Sequence, residues 1–261
     1  MINDSGEKEI LKKFMPRRLL SFFRKMVYPE KIYLLEDNLR SLFLTYYQHI
    51  AASDLSQKTA IGNAEFKVFS KHGGDGILLY IFSKVGVTNR TFVEMGVEDG
   101  RECNTANLSL NFGWQGLLID ANKERIESAG LFYKEKLGKM SGNVRAVACF
   151  ITAENINKLL SDNGMRGEID LLSMDIDGND YWVGKAINVV NPRVIVAEYN
   201  AAFGLKPITI KYNPKFNMQK NLYFGASLTA LAKLFQGKGY ILVGCDYYGH
   251  DAFFVRKDVA Q

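Results

Sequence analysis

Residues 92–105 read FVEMGVEDGRECNT, a β-prone apolar run followed by an acid and two glycines. An apolar run that ends in closely spaced glycines is typical of a buried strand that turns sharply into a helix. Open α/β sheets bind their ligands at the carboxyl ends of their strands. The stretch therefore predicts the first strand of such a sheet, with Glu94, Gly96 and Gly100 at its ligand-binding edge.

Four further strand-like runs follow the first, and each ends in polar residues or glycine. They are GWQGLLIDAN, VRAVACFI, IDLLSMDIDG and PRVIVAEYN. Between the runs lie helix-like segments at about 103–112, 122–138, 152–163 and 180–189. Alternation of this kind predicts parallel strands joined by crossover helices.

The last forty residues have a different pattern. A helix-like segment, GASLTALAKLFQGKG, precedes two strand-like runs, YILVGCD and AFFVRKD, which are joined by the short connection YYGH. A connection of hairpin length requires antiparallel pairing. We therefore predict a Rossmann-like, doubly wound seven-stranded sheet with an antiparallel last strand at residues 61–261. Two helices at roughly 6–27 and 31–51 would form an N-terminal helical extension, residues 1–60.

Composition narrows the class of protein. The chain has 261 residues, 47% of them hydrophobic and 23% charged, as is usual for a globular protein. Its three cysteines are far apart and suggest neither a disulfide framework nor a zinc site, so we expect a cytoplasmic protein. No apolar run approaches the roughly 18 residues of a membrane span, and the first residues lack a signal-peptide core. No nucleic-acid-binding signature is present, so nucleic acid is not an expected partner.

Residues 7–27 combine basic and apolar side chains, within a net charge of +5 for the chain. Such a stretch is typical of a helix that packs its apolar side on the main domain. The same pattern occurs in helices that lie on anionic membranes or attract phosphorylated substrates. The sequence leaves both interpretations open.

The acid at Glu94 bears on the kind of ligand. A carboxylate is unsuited to a pyrophosphate but suits S-adenosylmethionine, whose sulfonium and ammonium groups are cationic. The third glycine of the G-x-G-x-x-G loop is also missing, which counts against NAD. Asp120 ends the second strand about twenty residues later, where an acid accepts hydrogen bonds from ribose hydroxyls. The alternative for Asp120 is a helix N-cap.

Acidic and amide residues crowd the ends of the fourth and fifth strands, at Asp175, Asp177, Asp180, Glu198 and Asn200. Oxygens of Asp175, Glu198 and Asn200 could bind Mg²⁺ and orient a substrate hydroxyl. Alternatively, Asp175 contacts the cofactor while Asp177, Asp180 and Asn200 cap turns. Proton removal from a hydroxyl needs a base, for which Asp177 and His72 are our candidates. His250, in the hairpin connection, is a further imidazole.

These motifs, in this order, resemble the FkbM-like group of class I S-adenosylmethionine-dependent methyltransferases. FVEMGVEDG, GLLIDAN, DLLSMDIDGNDYW and AFFVR correspond to motifs of that family over roughly residues 65–257. The upstream segment FSKHGGDGILLYIF departs from the more usual Q-x-G-E-D-G at His72 and Gly74.

The resemblance implies O-methylation of a small molecule, a sugar or nucleotide-linked metabolite of a polysaccharide or natural-product pathway. It also implies that Glu94, Gly96 and Gly100 line the cofactor loop and that Asp175 lies near the methionine part. The other implied cofactor positions are the ribose site at Asp120 and Ala121 and the adenine site at Ala148, Cys149 and Phe150.

Residues 202–225 form a long basic segment after the fifth strand. Its lysines could contact a phosphorylated or nucleotide-linked substrate; they are Lys206, Lys211, Lys215 and Lys220. Two rival functions remain. One is an NAD-linked or nucleotide-sugar enzyme on a similar sheet, and the other is a binding protein that retains the fold without catalysis.

Overall fold

The computed structural model describes residues 61–218 and 221–260. The predicted extension at residues 1–60 and Lys220 lie outside these residues. Six α-helices are present in the described part: α1 (Gly74–Val85), α2 (Ala106–Phe112), α3 (Lys123–Leu137), α4 (Ile156–Asp162), α5 (Asp180–Ala186) and α6 (Leu228–Gly237). None of these helices is both long and apolar enough to span a bilayer.

Seven strands form one mixed sheet. They are β1 (Thr91–Met95), β2 (Gln115–Asp120), β3 (Val144–Ala148), β4 (Gly167–Met174), β5 (Val190–Glu198), β6 (Tyr240–Cys245) and β7 (Asp251–Arg256). Their order across the sheet is β3-β2-β1-β4-β5-β7-β6. The first five strands are parallel, and β7 pairs antiparallel with both β5 and β6. The predicted Rossmann-like sheet with its antiparallel last strand is confirmed.

The register brings the apolar residues of neighbouring strands side by side. Leu117, Val93, Leu172, Ile195 and Phe254 form one row across five adjacent strands, and all five belong to the same buried cluster. Each such side chain contributes on the order of 2 kcal/mol of transfer free energy when buried. Strands that are covered on both faces need apolar residues at every position. This requirement explains why the strands appear in the sequence as continuous apolar runs.

The chain reverses its crossover direction between β1 and β4, which are adjacent in the sheet although β2 and β3 intervene in the sequence. In doubly wound sheets a crevice opens at such a switch point, outside the carboxyl ends of the strands. The carboxyl ends of β1, β2, β4 and β5 carry Met95, Asp120, Met174 and Glu198. The polar residues singled out in the sequence thus lie at or just beyond one edge of the sheet.

Candidate active site

A cavity of about 1170 Å³ opens at this edge of the sheet. Eight of the sequence-predicted residues line it: Gly96, Asp120, Ala121, Cys149, Phe150, Asp175, Asp177 and Glu198. Five others do not line it: His72, Glu94, Gly100, Ala148 and Asn200. The structure therefore brings together residues from the ends of β1 to β5, and it places the remaining ones around them.

Glu94 lies beneath the loop that leads into α2. Its carboxylate accepts hydrogen bonds from the backbone N–H groups of Asn104 (2.7 Å) and Thr105 (3.0 Å) and from the Thr105 hydroxyl. Burial raises the pKa of Glu94, against the effect of these hydrogen bonds. In this arrangement Glu94 fixes the shape of the loop and does not itself line the cavity.

The two glycines of the first motif allow close contacts within the protein. Gly96 has φ +78°, and a Cβ atom there would lie 1.6 Å from the carbonyl oxygen of Asp175. Gly100 also has φ +78°, and its Cβ would lie 2.8 Å from that of Ala129 in α3. Side chains at these positions would push the β1 loop away from β4 and α3, which would deform the cavity wall.

Asp120 ends β2 in the wall of the cavity. Its two oxygens accept hydrogen bonds from the N–H groups of Glu98 (2.8 Å) and Asn122 (2.7 Å). The N-cap of α3 is instead Asn122, whose side chain accepts from Glu124 N and Arg125 N. The alternative that Asp120 is the helix cap is therefore wrong. Each carboxylate oxygen can accept more than one hydrogen bond, so Asp120 retains capacity for ligand hydroxyls.

Three carboxylates converge at the ends of β4 and β5. Oxygens of Asp175, Asp177 and Glu198 all lie within 4.8 Å of one another. The pKa values of Asp175 and Glu198 are raised, by burial first and then by neighbouring carboxylates. Two charged carboxylates this close repel one another, so their environment favours a shared proton or a bound cation.

Asp180 supports this group from below. Its carboxylate accepts hydrogen bonds from Ile176 N (2.9 Å) and Gly178 N (3.0 Å), so it fixes the turn that follows β4. Asp177, within that turn, has a left-handed backbone with φ +56°. The expectation that Asp177, Asp180 and Asn200 cap turns is therefore confirmed for Asp180 and for Asn200, which is the N-cap of the short 3-10 helix Ala201–Phe203.

Asn200 faces the connection between β5 and α6. Its amide donates to the carbonyls of Leu222 (2.9 Å) and Phe224 (3.0 Å), and its oxygen accepts from Ala202 N (3.0 Å). Asn200 therefore lies apart from the other two predicted metal ligands, Asp175 and Glu198. The third residue of the converging group is Asp177. Carboxylate oxygens suit Mg²⁺, so this altered set of residues fits a hard cation.

The two imidazoles stack on each other. The rings of His72 and His250 are 4.4 Å apart and inclined by 13°. His250 lines the cavity, whereas His72 lies behind it and does not. Burial, and then the charge of His250, lower the pKa of His72. Of the two, His250 is the imidazole that faces the cavity.

The loop that carries His72 is shaped by Asp75, at the start of α1. One carboxylate oxygen accepts hydrogen bonds from Val68 N, Phe69 N and Ser70 N at 2.7–2.8 Å and from the Ser70 hydroxyl. This loop also brings Lys71 to the cavity wall. Sequence reasoning missed Asp75 and Lys71. The acid within GGDG, at the start of an apolar helical run, was the available signal.

The connection between β5 and α6 closes one side of the cavity. Residues 204–218 and 221–226 of this connection are described, and they contribute apolar and amide side chains to the wall: Phe216, Asn217, Met218, Asn221, Leu222 and Phe224. Trp182 fastens the connection through a hydrogen bond from Nε1 to Ile210 O (2.9 Å). Asn179 does so through a hydrogen bond to Asn213 O (2.8 Å).

Comparisons with solved structures find similar folds among methyltransferases. An O-methyltransferase from Bacillus cereus in complex with SAH (S-adenosylhomocysteine) is 15% identical, with a TM-score of 0.45 over 80% of this chain and 89% of that chain. A S-adenosylmethionine-dependent methyltransferase from Clostridium acetobutylicum is 10% identical, with a TM-score of 0.43 over 70% and 90%. The SAH-bound N-terminal domain of EvdMO1 is 14% identical, with a TM-score of 0.45 over 73% and 88%. No family model and no curated protein matches the chain.

Proposed function

We propose that the protein is an S-adenosylmethionine-dependent O-methyltransferase. The observation that carries the proposal is Asp120, which lies in the cavity wall at the end of β2 with both oxygens positioned by backbone N–H groups. A carboxylate at this strand end suits the two hydroxyls of a ribose. Cys149 and Phe150 follow β3 in the next part of the wall, where a flat adenine would lie.

The sheet itself favours this proposal over an NAD-linked enzyme. The order of a dinucleotide-binding sheet is 3-2-1-4-5-6, whereas here an antiparallel strand, β7, lies between β5 and β6. The loop after β1 also has two glycines, Gly96 and Gly100, instead of the three of the G-x-G-x-x-G loop that binds a pyrophosphate. Because a fold alone does not fix a function, the site residues carry the remaining argument.

The cofactor would supply an electrophilic methyl group bonded to a positively charged sulfur. Asp120, Cys149 and Phe150 would hold the cofactor, whose methyl group would pass to the acceptor oxygen while sulfur would keep the electron pair of the broken carbon–sulfur bond. The proton of the acceptor hydroxyl passes to a base. We assign this role to Asp177, whose exposed side chain lines the cavity and whose pKa is raised, first by partial desolvation and then by the charge of Glu98, so that it is a stronger base than an ordinary aspartate.

Most of the rate would come from positioning. The chain's own residues surround the cavity with a connection fastened by Trp182 and Asn179, which orients the acceptor and excludes water. The acceptor class that we propose is a sugar or nucleotide-linked small molecule, as in the FkbM-like group. If Mg²⁺ takes part, Asp175 and Glu198 would hold it and Asp177 would remain free as the base, and the ion would lower the pKa of a hydroxyl bound to it.

Calorimetric titration with S-adenosylhomocysteine tests the proposal. We expect the wild-type protein to bind it and Asp120→Asn to bind roughly tenfold more weakly, because one ribose acceptor is lost. Asp162→Asn is the matched control, since Asp162 is exposed and its ion-pair partner among the described residues is Lys158, outside the cavity. Circular dichroism would verify that both variants are folded.

The same titration discriminates between the rivals. A folded wild-type protein that binds NAD but not S-adenosylhomocysteine would refute the methyltransferase proposal. Equal binding by Asp120→Asn and the wild type would remove the observation on which it stands. Binding of the cofactor without methyl transfer to any sugar, phosphorylated sugar or nucleotide sugar would favour the non-catalytic binding protein.

A further inference from the structure

A second groove, of about 450 Å³, lies on the connection between β5 and α6. Two lysines, two tyrosines, two asparagines and Phe216 line it. Phe216 and Asn217 also line the main cavity, so the two spaces adjoin along these two residues. A ligand that passes the side chain of Phe216 can therefore extend from the cavity into the groove.

The two spaces differ in charge. Carboxylate side chains outnumber basic ones in the cavity wall, seven to three, whereas no carboxylate lines the groove; the cavity residues are Glu98, Asp99, Glu102, Asp120, Asp175, Asp177 and Glu198 against Lys71, Arg101 and Arg125. The charged residues of the groove are Lys211 and Lys215, and neither forms an ion pair with any of the described residues within 4.0 Å. An anionic group would be repelled at the acidic end of the cavity and attracted to the groove.

The backbone under the two lysines is held in place. Asn213, between them, accepts a hydrogen bond from Lys215 N through its side chain (3.0 Å) and one from Asn179 through its carbonyl (2.8 Å). Lys211 N donates to the Tyr223 hydroxyl (3.2 Å). The attachment points of both lysines are thus fixed before a ligand binds, which lowers the entropy lost on binding.

The aromatic residues suit the part of the ligand that joins the two spaces. Phe216 lies over Gly178, where a Cβ atom would be 2.3 Å from the ring, and its centroid is 6.4 Å from that of Tyr223. Aromatic faces of this kind bind the apolar face of a sugar or another ring. Because Gly178 has no side chain, the Phe216 ring fits between the cavity and the groove.

We infer that this groove is an acceptor subsite, in which Lys211 and Lys215 bind an anionic group of the substrate, a phosphate or a carboxylate, while the hydroxyl to be methylated lies at Asp177. This rests on the proposed function. The substrate class is thereby narrowed to acceptors that carry their negative charge at the end opposite the reacting hydroxyl. Lysine contacts of this type weaken as ionic strength rises.

Three probes test the subsite: glucose 1-phosphate, glucuronate and neutral glucose, each titrated by calorimetry in the presence of S-adenosylhomocysteine. The variant is Lys211→Met with Lys215→Met, and the control is Lys206→Met, because Lys206 is exposed on the same connection but lines neither space. Methionine keeps most of the length of the side chain and removes its charge. Since all three lysines are exposed, we expect these variants to fold.

We expect at least one charged probe to bind the wild type, the double variant to bind it roughly tenfold more weakly, and the control to bind it unchanged. Preference for glucose 1-phosphate would identify a phosphate, and preference for glucuronate a carboxylate. The inference is overturned if neither charged probe binds, if glucose binds equally well, or if the double variant binds as the wild type does.

The titration of S-adenosylhomocysteine alone separates the two proposals. If the double variant keeps the wild-type affinity for it while no charged probe binds, the subsite is refuted and the methyltransferase proposal stands. If the folded wild type fails to bind S-adenosylhomocysteine, the methyltransferase proposal fails. The acceptor role of the groove fails with it, even where the charged probes, titrated without it, still bind.

Discussion

At Gly96 the backbone of the β1 loop meets the carbonyl of Asp175 at the end of β4. We expect Gly96→Ala to destabilise the fold by on the order of 3 kcal/mol, because the new methyl adds both a left-handed backbone penalty and a direct clash. Gly113→Ala is the control, since φ is +69° there but no heavy atom lies within 4 Å of a Cβ. Urea denaturation measures both free energies, and equal losses would show that the clash is relieved.

His72 provides a second test at the level of one residue. Its pKa is lowered, so the folded protein binds fewer protons at this position than the unfolded chain does. The contribution of His72 to the free energy of unfolding is therefore fully present above the unfolded-state pKa of about 6.5. This contribution is lost as the pH falls through the pKa of His72 in the folded protein.

When the pH falls from about 8 to about 5.5, we expect the wild-type protein to lose more stability than His72→Phe. Phenylalanine keeps an aromatic ring against His250 but has no group that binds a proton. Denaturant unfolding at the two pH values measures the difference. A loss of the same size in both proteins would mean that His72 titrates normally.

Individual residues show what the sequence could not reveal. Glu94 and Asp120 both end strands, yet Glu94 lies under a loop while Asp120 lines the cavity. Asn200, two residues beyond Glu198, turns away because the chain bends after β5 and its amide serves the following connection. Such differences depend on the path of loops that are distant in sequence, and local pattern does not specify that path.

At the scale of secondary structure, the predicted elements correspond closely to the observed ones. The strands were recognisable because each is a short apolar run bounded by turn residues, and α6 because Ser227, its N-cap, precedes an amphipathic run. Helix α1 was not predicted as such. Glycines at its first and third positions disguise its start, and Gly76 is required there because a Cβ would lie 2.1 Å from the carbonyl oxygen of Ala64.

The connection between β5 and α6 can be tested as one element. Trp182→Phe removes the hydrogen bond to Ile210 O, so we expect faster amide hydrogen exchange across residues 205–218 and a loss of about 1 kcal/mol of stability. Trp114→Phe is the control, since Trp114 is buried against Phe82 in another part of the fold. If Trp182→Phe leaves exchange in the connection unchanged, this hydrogen bond does not fasten it.

At the scale of the described molecule, the residues at the two ends of the parallel strands have different roles. Opposite the cavity, fully buried Asp170 accepts hydrogen bonds from Thr88 N (2.9 Å), Asn89 N (2.9 Å) and Arg90 N (2.6 Å) and pairs with Arg193. This cluster ties the turn before β1 to β4 and β5. Within residues 61–218 and 221–260, none of the hydrogen-bond or ion-pair partners of Asp170 and Arg193 lines the cavity.

We therefore expect Asp170→Asn to cost about 2–4 kcal/mol of stability, because an amide cannot replace both acceptor oxygens. The affinity of the folded variant for S-adenosylhomocysteine should stay as in the wild type. Thermal unfolding measures the change in stability, and calorimetry measures the affinity for S-adenosylhomocysteine. If the fully folded variant bound S-adenosylhomocysteine more weakly than the wild type, the Asp170 cluster and the cavity would be coupled.

The place of β7 inside the sheet has a consequence for biosynthesis. β5 leaves the ribosome well before β7, the strand that pairs with it, and at ordinary rates of translation the interval is roughly 3 to 10 seconds. During that time the nascent chain carries an apolar strand with one open edge, which is the kind of surface that recruits chaperones or pairs with a neighbouring chain. Expression at a slower translation rate would lengthen this exposure and favour inclusion bodies.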